Sequence, residues 1–417
     1  MQPTFLFLRL EVILAVWSLI AVGVLAWSVY REGFTWDLLL MVGLFTAVGS
    51  ALYWLVPKMG IHDDAGNIGL AVRGYGFFVA IGVAAGLALA GHNATRAGLP
   101  RDYAYSAAFA MLAGGFIGAR LFYVIEYFDD FRGETWLETA AAVLRYYEGG
   151  LVVYGGLIGG CAGFLLYTWF RKIATLNLLD VMAPAMAIGL AFGRIGCLMN
   201  GCCWGGVCDH PPSITFPPGS PPFMRHLETG ELLGFRLEPH PRGGWTVTHV
   251  EPDSRAARGG LKRGDRVLQL QIASHETFQR HSKPNASSRN EVAVRIVTQS
   301  GLELTWTADQ IPAHSLPVHP AQIYASINAF LLTLLLYLAL DWRRRPGDVA
   351  ALMLTLYPVS RILLEWIRSD EPGIAGTALT ISQWVSLGLL AVAIGWWLAT
   401  RLPRGIRDRP AARTDSS

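Results

Sequence analysis

Residues 178–200 read LLDVMAPAMAIGLAFGRIGCLMN and set the fold class of the whole chain. A helix that crosses a membrane needs about 20 mostly apolar residues. The stretch predicts such a helix over 178–199. Arg194 lies near its end, between glycines that allow a backbone or a ligand to approach closely.

The composition extends this interpretation to most of the chain. Of the 417 residues, 52% are hydrophobic and 16% are charged, whereas a soluble protein has about 25% charged residues. The expected fold class is therefore an all-α polytopic membrane protein with a soluble insert. The net charge of +3 and the absence of a basic patch with interleaved aromatic residues argue against nucleic acid as a partner. The nine predicted spans are about 5–29, 36–56, 72–91, 103–125, 151–170, 178–199, 320–341, 349–366 and 379–399.

Arginine and lysine are concentrated in alternate loops, and short loops rich in these residues face the cytoplasm. The outer short loops contain fewer basic residues, and the loop 126–150 is acidic. The N-terminus and the long segment 200–319 are therefore expected outside the cytoplasm. The cytoplasmic segments contain Arg31, Arg96, Arg101, Arg171, Lys172, Arg343, Arg344, Arg345, Arg401, Arg404, Arg407, Arg409 and Arg413.

Residues 228–308 have short alternating segments in place of the long apolar stretches of the predicted spans. Four short segments with β-branched residues and alternating polarity predict strands: Trp245–Val250, Arg266–Ile272, Glu291–Val297 and Leu302–Trp306. The phrase VTHVEPDSRAARGGLKRGDRVLQL, which starts at Val247, resembles a PDZ domain. Residues 273–290 are expected to form a flexible loop within this mainly-β insert.

Leu233, Gly234 and Phe235 resemble the PDZ loop that caps a peptide carboxylate. The resemblance implies capture of an extended peptide by strand addition, with backbone N–H groups on the carboxylate. A packing module that binds no peptide is the alternative.

Ionisable residues occur inside the predicted spans, where each charge costs at least about 2.5–3.5 kcal/mol at a helix centre. Arg361, Glu365 and Arg368 follow one another at positions i, i+4 and i+7, which places them on one helix face. Either they serve a function or they form a structural ion pair. Arg120, Arg194 and Arg361 come from three spans and are expected to converge on one anion, since arginine binds phosphate with two hydrogen bonds.

Further polar residues lie at the predicted outer ends of spans. Glu148 precedes two Gly-Gly pairs that surround Tyr154, and small residues for helix packing explain the glycines well but do not explain Glu148. The run HPAQIY over 319–324 places His319, Gln322 and Tyr324 at the outer boundary of the seventh span. These residues are predicted to line one cavity.

Taken together, these motifs resemble the bacterial prolipoprotein diacylglyceryl transferases, in the order found in that family. The matching runs are RGYG at 73–76, GARL at 118–121, GG at 149–150, YGGL at 154–157, GRIG at 193–196, NG at 200–201, HPAQIY at 319–324, and Arg361 with Glu365.

The resemblance implies an enzyme that transfers the diacylglyceryl group of phosphatidylglycerol to the lipobox cysteine of prolipoproteins. A thioether forms and glycerol phosphate is released. The resemblance also implies a multi-pass protein of the bacterial inner membrane, with the insert in the periplasm, a core of seven helices, and no metal or organic cofactor. The expected partners are phosphatidylglycerol, lipobox peptides, membrane lipid and a peptide ligand of the insert.

The resemblance carries over a set of site residues. The expected catalytic residues are Tyr154, Arg194, Arg361 and Glu365. The expected substrate-binding residues are Tyr75, Arg120, Glu148, Gly155, Gly156, Asn200, Gly205, His319, Gln322, Tyr324 and Arg368. The expected division of the chain is two additional spans at 1–60, core at 70–227, insert at 228–308, core at 309–400 and a basic cytoplasmic tail at 401–417.

The sequence departs from the family pattern at two positions. Many relatives have histidine where Tyr154 stands, and tyrosine, with a pKa near 10, is a poor base at neutral pH. Either Tyr154 or Glu365 is the candidate base, and Glu365 is alternatively an orienting group for Arg361. Some relatives have asparagine at the position of Cys197, so only Asn200 carries over there.

Other readings stay open. Cys197, Cys202, Cys203, Cys208 and His210 offer ligands for a metal or partners for a disulfide, although their spacing is not the usual paired C-x-x-C. An intramembrane metalloprotease would need His-Glu-x-x-His in a span, which the sequence lacks. A non-catalytic lipid-binding scaffold that presents partners through the insert is the rival from another class.

Overall fold

The protein is described from a computed structural model. The structure describes residues 4–34, 36–58, 66–133, 135–145, 149–241, 243–274, 278, 292–368, 373, 376–377 and 379–401.

Helices dominate the described residues. The helices are α1 (Leu10–Glu32), α2 (Trp36–Lys58), α3 (Gly74–Arg96), α4 (Arg101–Glu126), α5 (Phe128–Phe131), α6 (Trp136–Leu144), α7 (Val153–Arg171), α8 (Thr175–Asn200), α9 (Pro221–Glu228), α10 (Arg255–Arg258), α11 (Ala321–Trp342), α12 (Asp348–Glu365) and α13 (Ile381–Arg401). The strands are β1 (Thr4–Arg9), β2 (Gly69–Arg73), β3 (Phe235–Pro239), β4 (Trp245–Val250), β5 (Arg266–Ile272), β6 (Val292–Thr298) and β7 (Glu303–Thr307).

Eight of the described helices are long and apolar enough to cross a membrane, which confirms a polytopic membrane protein. They are α1, α2, α3, α4, α7, α8, α11 and α13. The remaining predicted span corresponds to α12, which has 18 residues and contains Asp348, Arg361 and Glu365. Because of these three charged residues, α12 is less apolar than the helices that qualify as membrane spans by composition.

The first predicted span begins too early. Residues Thr4–Arg9 form β1, which pairs antiparallel with β2, and α1 starts only at Leu10. The Leu10 amide donates to the Ile68 carbonyl at 3.0 Å and continues this pairing. The reason is a long-range contact. Because β2 lies just before α3 and pairs with the N-terminal segment, residues Thr4–Arg9 form a strand instead of the first turns of a helix.

A buried carboxylate fixes the start of α12. Asp180 of α8 is fully buried and accepts the amide N–H groups of Gly347 at 2.8 Å and Ala350 at 2.9 Å. The first N–H groups of a helix lack partners within the helix, and a negative charge there also complements the helix dipole. Arg343 adds an ion pair to Asp180 at 3.3 Å. Asp180 therefore connects α8 to α12 at the end opposite Arg361.

Helices α4 and α7 pack closely through facing glycines. A methyl group on Gly159 would lie 2.2 Å from the Gly114 carbonyl oxygen, and one on Gly118 would lie 2.4 Å from the Gly155 carbonyl oxygen. Small residues let helix backbones approach within a membrane, where packing replaces the hydrophobic effect as the main attraction. Gly155 therefore serves helix packing, which is the alternative that the sequence had left open.

The insert is a five-stranded antiparallel sheet in the order β3-β4-β5-β6-β7. The strands β4 and β5 have the predicted bounds, and β6 and β7 lie within one residue of them. The sequence did not predict β3, because its first residue belongs to the expected carboxylate loop. Ser254 caps the short helix α10 by accepting the Ala257 amide at 3.1 Å, as the sequence pattern indicates.

The apolar core of the insert extends beyond the sheet. Phe223 and Leu227 of α9 are almost fully buried, and they pack in one cluster with Phe235, Val267 and Ile296 of the sheet. The rings of Phe223 and Phe278 approach to 5.4 Å between centroids. The packing unit therefore includes a helix that precedes residue 228.

We expect the substitution Gly159→Ala to destabilise the protein by about 1–3 kcal/mol, because the added methyl group overpacks the α4–α7 contact. The measurement is thermal unfolding of the purified protein in a mild detergent. Gly388→Ala is the matched control, since a methyl group there meets nothing within 4 Å. The control is expected to be neutral or slightly stabilising, as alanine favours a helix more than glycine does. Equal stability of both variants would contradict the packing argument.

Candidate active site

The centre of the candidate site is the buried carboxylate of Glu365, whose side chain is 1% exposed. Its Oε2 atom forms ion pairs with Arg361 and with Arg368, the latter at 3.4 Å. Its Oε1 atom accepts the hydroxyl of Thr380 at 3.1 Å. Both carboxylate oxygens therefore have partners, which a buried charge requires in order to be tolerated.

The start of α13 completes this centre. Thr380 and Gln383 form a reciprocal cap at the helix start, because each side chain accepts the amide N–H of the other. Ser382 accepts a hydrogen bond from Arg361 Nη2 at 2.9 Å. One end of α13 thereby orients both the carboxylate and one of its arginines.

Arg368 lies just beyond the helix that was predicted to contain it. Helix α12 ends at Glu365, and in the following turn the amides of Ile367 and Arg368 donate to the Leu364 and Glu365 carbonyls at 3.2 and 3.0 Å. The reason is a backbone crossing: the amide of Gly206 donates to the Ile367 carbonyl at 2.9 Å, and Gly205 bridges to Arg368. The helix therefore ends before the i+7 position, although the guanidinium of Arg368 still pairs with Glu365 at 3.4 Å, as the predicted shared face requires.

The same crossing places His319 beside the arginines. Gly205 donates its amide to the His319 carbonyl at 3.0 Å, and His319 donates its own amide to the Gly206 carbonyl at 3.0 Å. A methyl group on Gly205 would lie 2.6 Å from the His319 Cβ atom. Glycine is required there because three chain segments meet without room for a side chain.

Arg194 joins this cluster from α8. It interacts electrostatically with Arg368 and Tyr357, and Arg361 in turn interacts with Arg194 and Arg368. The carboxylate of Glu365 pairs with Arg361 and Arg368, and Arg194 adds a third guanidinium group to the cluster, so these four side chains together carry excess positive charge. Such a cluster suits an anion held by several charge-assisted hydrogen bonds.

Sequence reasoning missed Tyr357. This half-buried residue lies one turn before Arg361 on α12 and interacts electrostatically with Arg194 and Arg361. The available signal was the i, i+4 spacing of Tyr357, Arg361 and Glu365, which continues the charged face by one turn.

Gln322 and His319 present polar atoms without partners among the described residues. Gln322 is 1% exposed; its Nε2 group donates to the Cys202 carbonyl at 2.8 Å, and its Oε1 atom is buried without a partner. The Nδ1 atom of His319 is buried and likewise unpaired. The His319 and Tyr324 rings lie 6.4 Å apart between centroids. A bound ligand would give such atoms partners.

Tyr75 lies at the start of α3 on the other side of Arg194. Its ring and carbonyl pack against the Cα of Gly196, and it interacts electrostatically with Arg194 and Cys203. Asn200 ends α8, and its side chain hydrogen-bonds Cys202. Five helix termini therefore lie together at the candidate site. They are the starts of α3, α11 and α13, and the ends of α8 and α12.

The guanidinium of Arg120 binds backbone carbonyls instead of joining the arginine cluster. All five of its N–H groups donate to backbone carbonyls between 2.6 and 3.2 Å away, and the acceptors are Ala142, Val143, Arg145, Gly149 and Gly150. The side chain therefore holds the loop before α7. The expected convergence of Arg120 with Arg194 and Arg361 is replaced by the convergence of Arg368 with those two, because the carbonyls of this loop saturate the guanidinium.

Tyr154 lies half-buried in the first turn of α7, next to this loop. Its neighbours Gly155 and Gly156 face α4. The predicted ligand Glu148 lies outside the described residues.

The backbone N–H groups of the expected carboxylate loop have internal partners. The Leu233 amide donates to Gly230 at 2.9 Å, the Gly234 amide to Glu231 at 3.2 Å, and the Phe235 amide to Gly230 at 3.2 Å. Carboxylate capture would require these bonds to open. The peptide-binding role of this loop stays a prediction.

The fold and the site define a polytopic membrane protein with a cluster of arginines around a buried carboxylate at the end of its helices. The family model of prolipoprotein diacylglyceryl transferase matches residues 64–399. The chain belongs to the prolipoprotein diacylglyceryl transferase family, as its motifs had indicated.

Curated relatives agree with this assignment. A phosphatidylglycerol–prolipoprotein diacylglyceryl transferase of Rhodopirellula baltica is 35% identical over 387 residues, which cover 85% of this chain and 77% of the relative. Enzymes of the same printed name from Clostridium perfringens (the transferase numbered 2) and Clostridium tetani are 22% and 23% identical. They cover 77% and 78% of this chain, and 88% and 92% of their own lengths.

We expect Glu365→Gln to destabilise the protein by about 3–5 kcal/mol, because two buried arginines lose the charge that compensates them. Unfolding in detergent measures the loss. The matched control is Glu303→Gln, which breaks a pair with Arg295 at 2.7 Å in which both side chains are about half exposed. Its cost is expected to be at most about 1 kcal/mol. Similar losses in both variants would show that Glu365 is not a buried structural charge.

Proposed function

We propose that this protein transfers the diacylglyceryl group of phosphatidylglycerol to the lipobox cysteine of prolipoproteins. The acceptor sulfur forms a bond to the glyceryl carbon, and the bond from that carbon to the phosphate oxygen breaks. The phosphate keeps the electron pair and leaves as glycerol phosphate, while the thiol proton is released. The observation that carries the proposal is the convergence of Arg194, Arg361 and Arg368 at one end of apolar spans.

The arginines suit the leaving group. Negative charge grows on the phosphate oxygens as the carbon–oxygen bond breaks, and fixed donors aimed at developing charge usually give the largest catalytic effect. Arg361 and Arg368 are almost fully buried, so water screens their charges little. Arg194 and Arg361 hold the phosphate in this proposal, and Arg368 adds charge from the turn after α12.

Glu365 has an orienting role in this proposal. Its two oxygens already accept hydrogen bonds from Thr380 and from two arginines. The described contacts therefore favour the orienting alternative over the base.

Tyr154 remains the other candidate for a direct role in the reaction. A tyrosine hydroxyl with an ordinary pKa of about 10 donates hydrogen bonds readily at neutral pH but accepts a proton poorly. We assign it hydrogen bonding to the lipid headgroup. Glu148 and the substrate-binding roles of Tyr75, Asn200, His319, Gln322 and Tyr324 belong to the same proposal.

A cavity in the helix bundle supports a lipid substrate. It has a volume of about 240 Å³ and lies among α3, α4 and α8, with only apolar residues and glycines in its wall: Val79, Gly82, Val83, Gly86, Leu87, Ala108, Met111, Leu112, Met182, Ala185, Met186 and Gly189. On α8, Gly189 lies five residues before Arg194, or about 8 Å at 1.5 Å per residue. The cavity is thus deeper in the bundle than the arginines, which is the position expected for an acyl chain.

The membrane orientation follows from the basic loops. We propose a bacterial inner-membrane protein with α12 as a further span, and with the segment 200–319 in the periplasm. The insert leaves the end of α8 and returns at the start of α11, so it lies on the same side of the bundle as the arginine cluster. The acceptor protein and the lipid headgroup would then meet on that side.

The insert is proposed to help deliver the acceptor protein. Its sheet and short helix are consistent with a PDZ-like domain. The outer edge of β3 is partly covered by the chain before it, since Leu237 donates its amide to Thr229 at 3.0 Å. Strand addition of a peptide would therefore compete with this internal contact.

We expect Arg361→Ala and Arg194→Ala each to lower kcat for transfer by about 100- to 1,000-fold, as for the loss of one donor to a developing charge. The assay uses the purified protein, a lipobox peptide and phosphatidylglycerol vesicles. Arg361→Lys should restore little activity, because a single ammonium group cannot replace the planar fork of donors.

The control for these variants is Arg171→Ala, at the exposed opposite end of α7. It should transfer at the wild-type rate, and unfolding curves should show that all variants remain folded. Full activity in either site variant would remove that arginine from the mechanism. Absence of transfer by the folded wild-type protein would favour a lipid-binding scaffold.

We expect Val83→Phe to weaken transfer from lipids with long acyl chains more than from short-chain lipids, because the larger side chain fills the cavity. The measurement compares kcat/KM across a series of chain lengths. Ala84→Phe is the control, since Ala84 is the neighbouring residue on α3 and is exposed on the bundle surface. A uniform effect on all chain lengths would exclude the cavity as an acyl-chain site.

A further inference from the structure

Three cysteines meet beside the arginine cluster. The Sγ atoms of Cys197, Cys202 and Cys203 all lie within 4.8 Å of one another, and the five cysteines of the chain are unpaired as thiols. We propose that these three cysteines bind a zinc ion, in departure from the metal-free site that the family resemblance implies, and that its open fourth position takes the acceptor thiol. The second part rests on the proposed function.

The backbone prearranges the three sulfurs. Helix α8 ends at Asn200, the next residue Gly201 has a φ of 72°, and the Cys202 amide donates back to the Cys197 carbonyl at 3.1 Å. Cys203 then has a φ of 61°, a left-handed conformation that is uncommon for residues other than glycine. This turn returns two consecutive cysteines to the last turn of the helix.

Side chains outside the cluster hold this turn in place. Gln322 of α11 donates to the Cys202 carbonyl at 2.8 Å, and Asn200 hydrogen-bonds the Cys202 side chain. The buried Oε1 atom of Gln322 has no partner among the described residues. Outer contacts of this kind orient metal ligands and tune the affinity of known sites.

The donor set fits zinc. Thiolates bind zinc at about 2.3 Å in tetrahedral geometry, which places two bound sulfurs about 3.8 Å apart. A contraction of about 1 Å at most would bring the observed sulfurs to that separation. Structural zinc sites have four protein ligands, whereas three leave one position open for a substrate. Among the described residues the cluster contains three donors, and the Cys208 sulfur instead contacts the His210 carbonyl at 3.2 Å.

The surroundings have the complementary charge. Three thiolates and one zinc ion carry one more negative than positive charge. Arg194 and Arg368 both interact electrostatically with Cys203, so they stabilise the loaded cluster. The same two arginines belong to the phosphate site, which places the cluster next to the reacting lipid.

A thiol bound at the open position would lose its proton, because coordination to zinc deprotonates a thiol. The acceptor cysteine could then attack as a thiolate without a nearby histidine base. Its sulfur forms the new bond to the glyceryl carbon, and the phosphate leaves with the electron pair of the broken carbon–oxygen bond. The proton is released to solvent when the thiol binds. Cys197, Cys202 and Cys203 remain on the metal throughout.

The first test is the metal content of the full-length protein, purified in detergent with a reductant and analysed by mass spectrometry of metals. We expect about one zinc per chain. Cys197→Ser, Cys202→Ser and Cys203→Ser should each lose the metal, whereas Cys161→Ser and Cys208→Ser should retain it. Wild-type protein with no zinc, or zinc retained in all three cluster variants, overturns the proposal. So does a disulfide within the cluster, detected by thiol titration of protein purified without reductant.

The second test does not depend on variants that must fold. Cobalt(II) replaces zinc in the wild-type protein, and its thiolate charge-transfer absorption reports the ligands. A lipobox peptide should change this spectrum, and a peptide with serine in place of its cysteine should not. An unchanged spectrum with the cysteine peptide means that the acceptor does not bind the metal, and overturns that part of the proposal.

Transfer activity separates the inference from the proposed function. Removal of the metal by a chelator should abolish transfer, and added zinc should restore it. Full activity of the metal-free wild-type protein overturns the inference and leaves the transferase function intact. A protein that binds zinc and the acceptor thiol but never transfers the lipid group refutes the proposed function instead.

Discussion

The buried carboxylate of Glu365 is the interaction on which the rest of the site depends. Two arginines in a site that excludes water would repel each other strongly, since their field is weakly screened there. The carboxylate between Arg361 and Arg368 offsets this repulsion and fixes both guanidinium groups. Thr380 joins the same carboxylate to the start of α13. The same carboxylate therefore supports both the packing of α12 against α13 and the geometry of the arginines. A change in either is expected to affect the other.

A second carboxylate holds the opposite end of α12. Asp180 accepts two N–H groups of the first turn, and Arg343 compensates its charge. Between these two carboxylates, α12 as a proposed span gains little stability from apolar burial, because lipid tails are as apolar as its own side chains. Charged groups inside the bundle therefore position the helix that carries Tyr357 and Arg361. The glycine contact between α4 and α7 achieves the same close approach by shape alone.

The two ends of the bundle have different chemistry. One end contains arginines, a cysteine cluster and polar atoms that have no partner among the described residues, around the entry and exit of the insert. The other end contains ion pairs between helices. In the proposed function a lipid would reach this end from within the membrane and an acceptor protein from the aqueous side, so a site at this boundary would be accessible to both. The crossing of Gly205 between His319 and Ile367 makes the boundary rigid, and it locates the insert next to the chemistry without placing any of the arginines in it.

The sequence by itself determined the features that depend on local periodicity. Hydrophobic length gave eight of the spans, alternation gave the strands β4 to β7, and the i, i+4 spacing gave the contact of Arg361 with Glu365. The family motifs placed Arg194 near them. Tertiary structure alone decided the features that depend on contacts between distant segments. It paired β1 with β2, assigned Arg120 to the carbonyls of a loop and brought Arg368 to the carboxylate from outside the helix. The physical reason is that a guanidinium or an amide takes whichever acceptor the folded chain brings within reach, and sequence spacing specifies that acceptor only within a few turns of one helix.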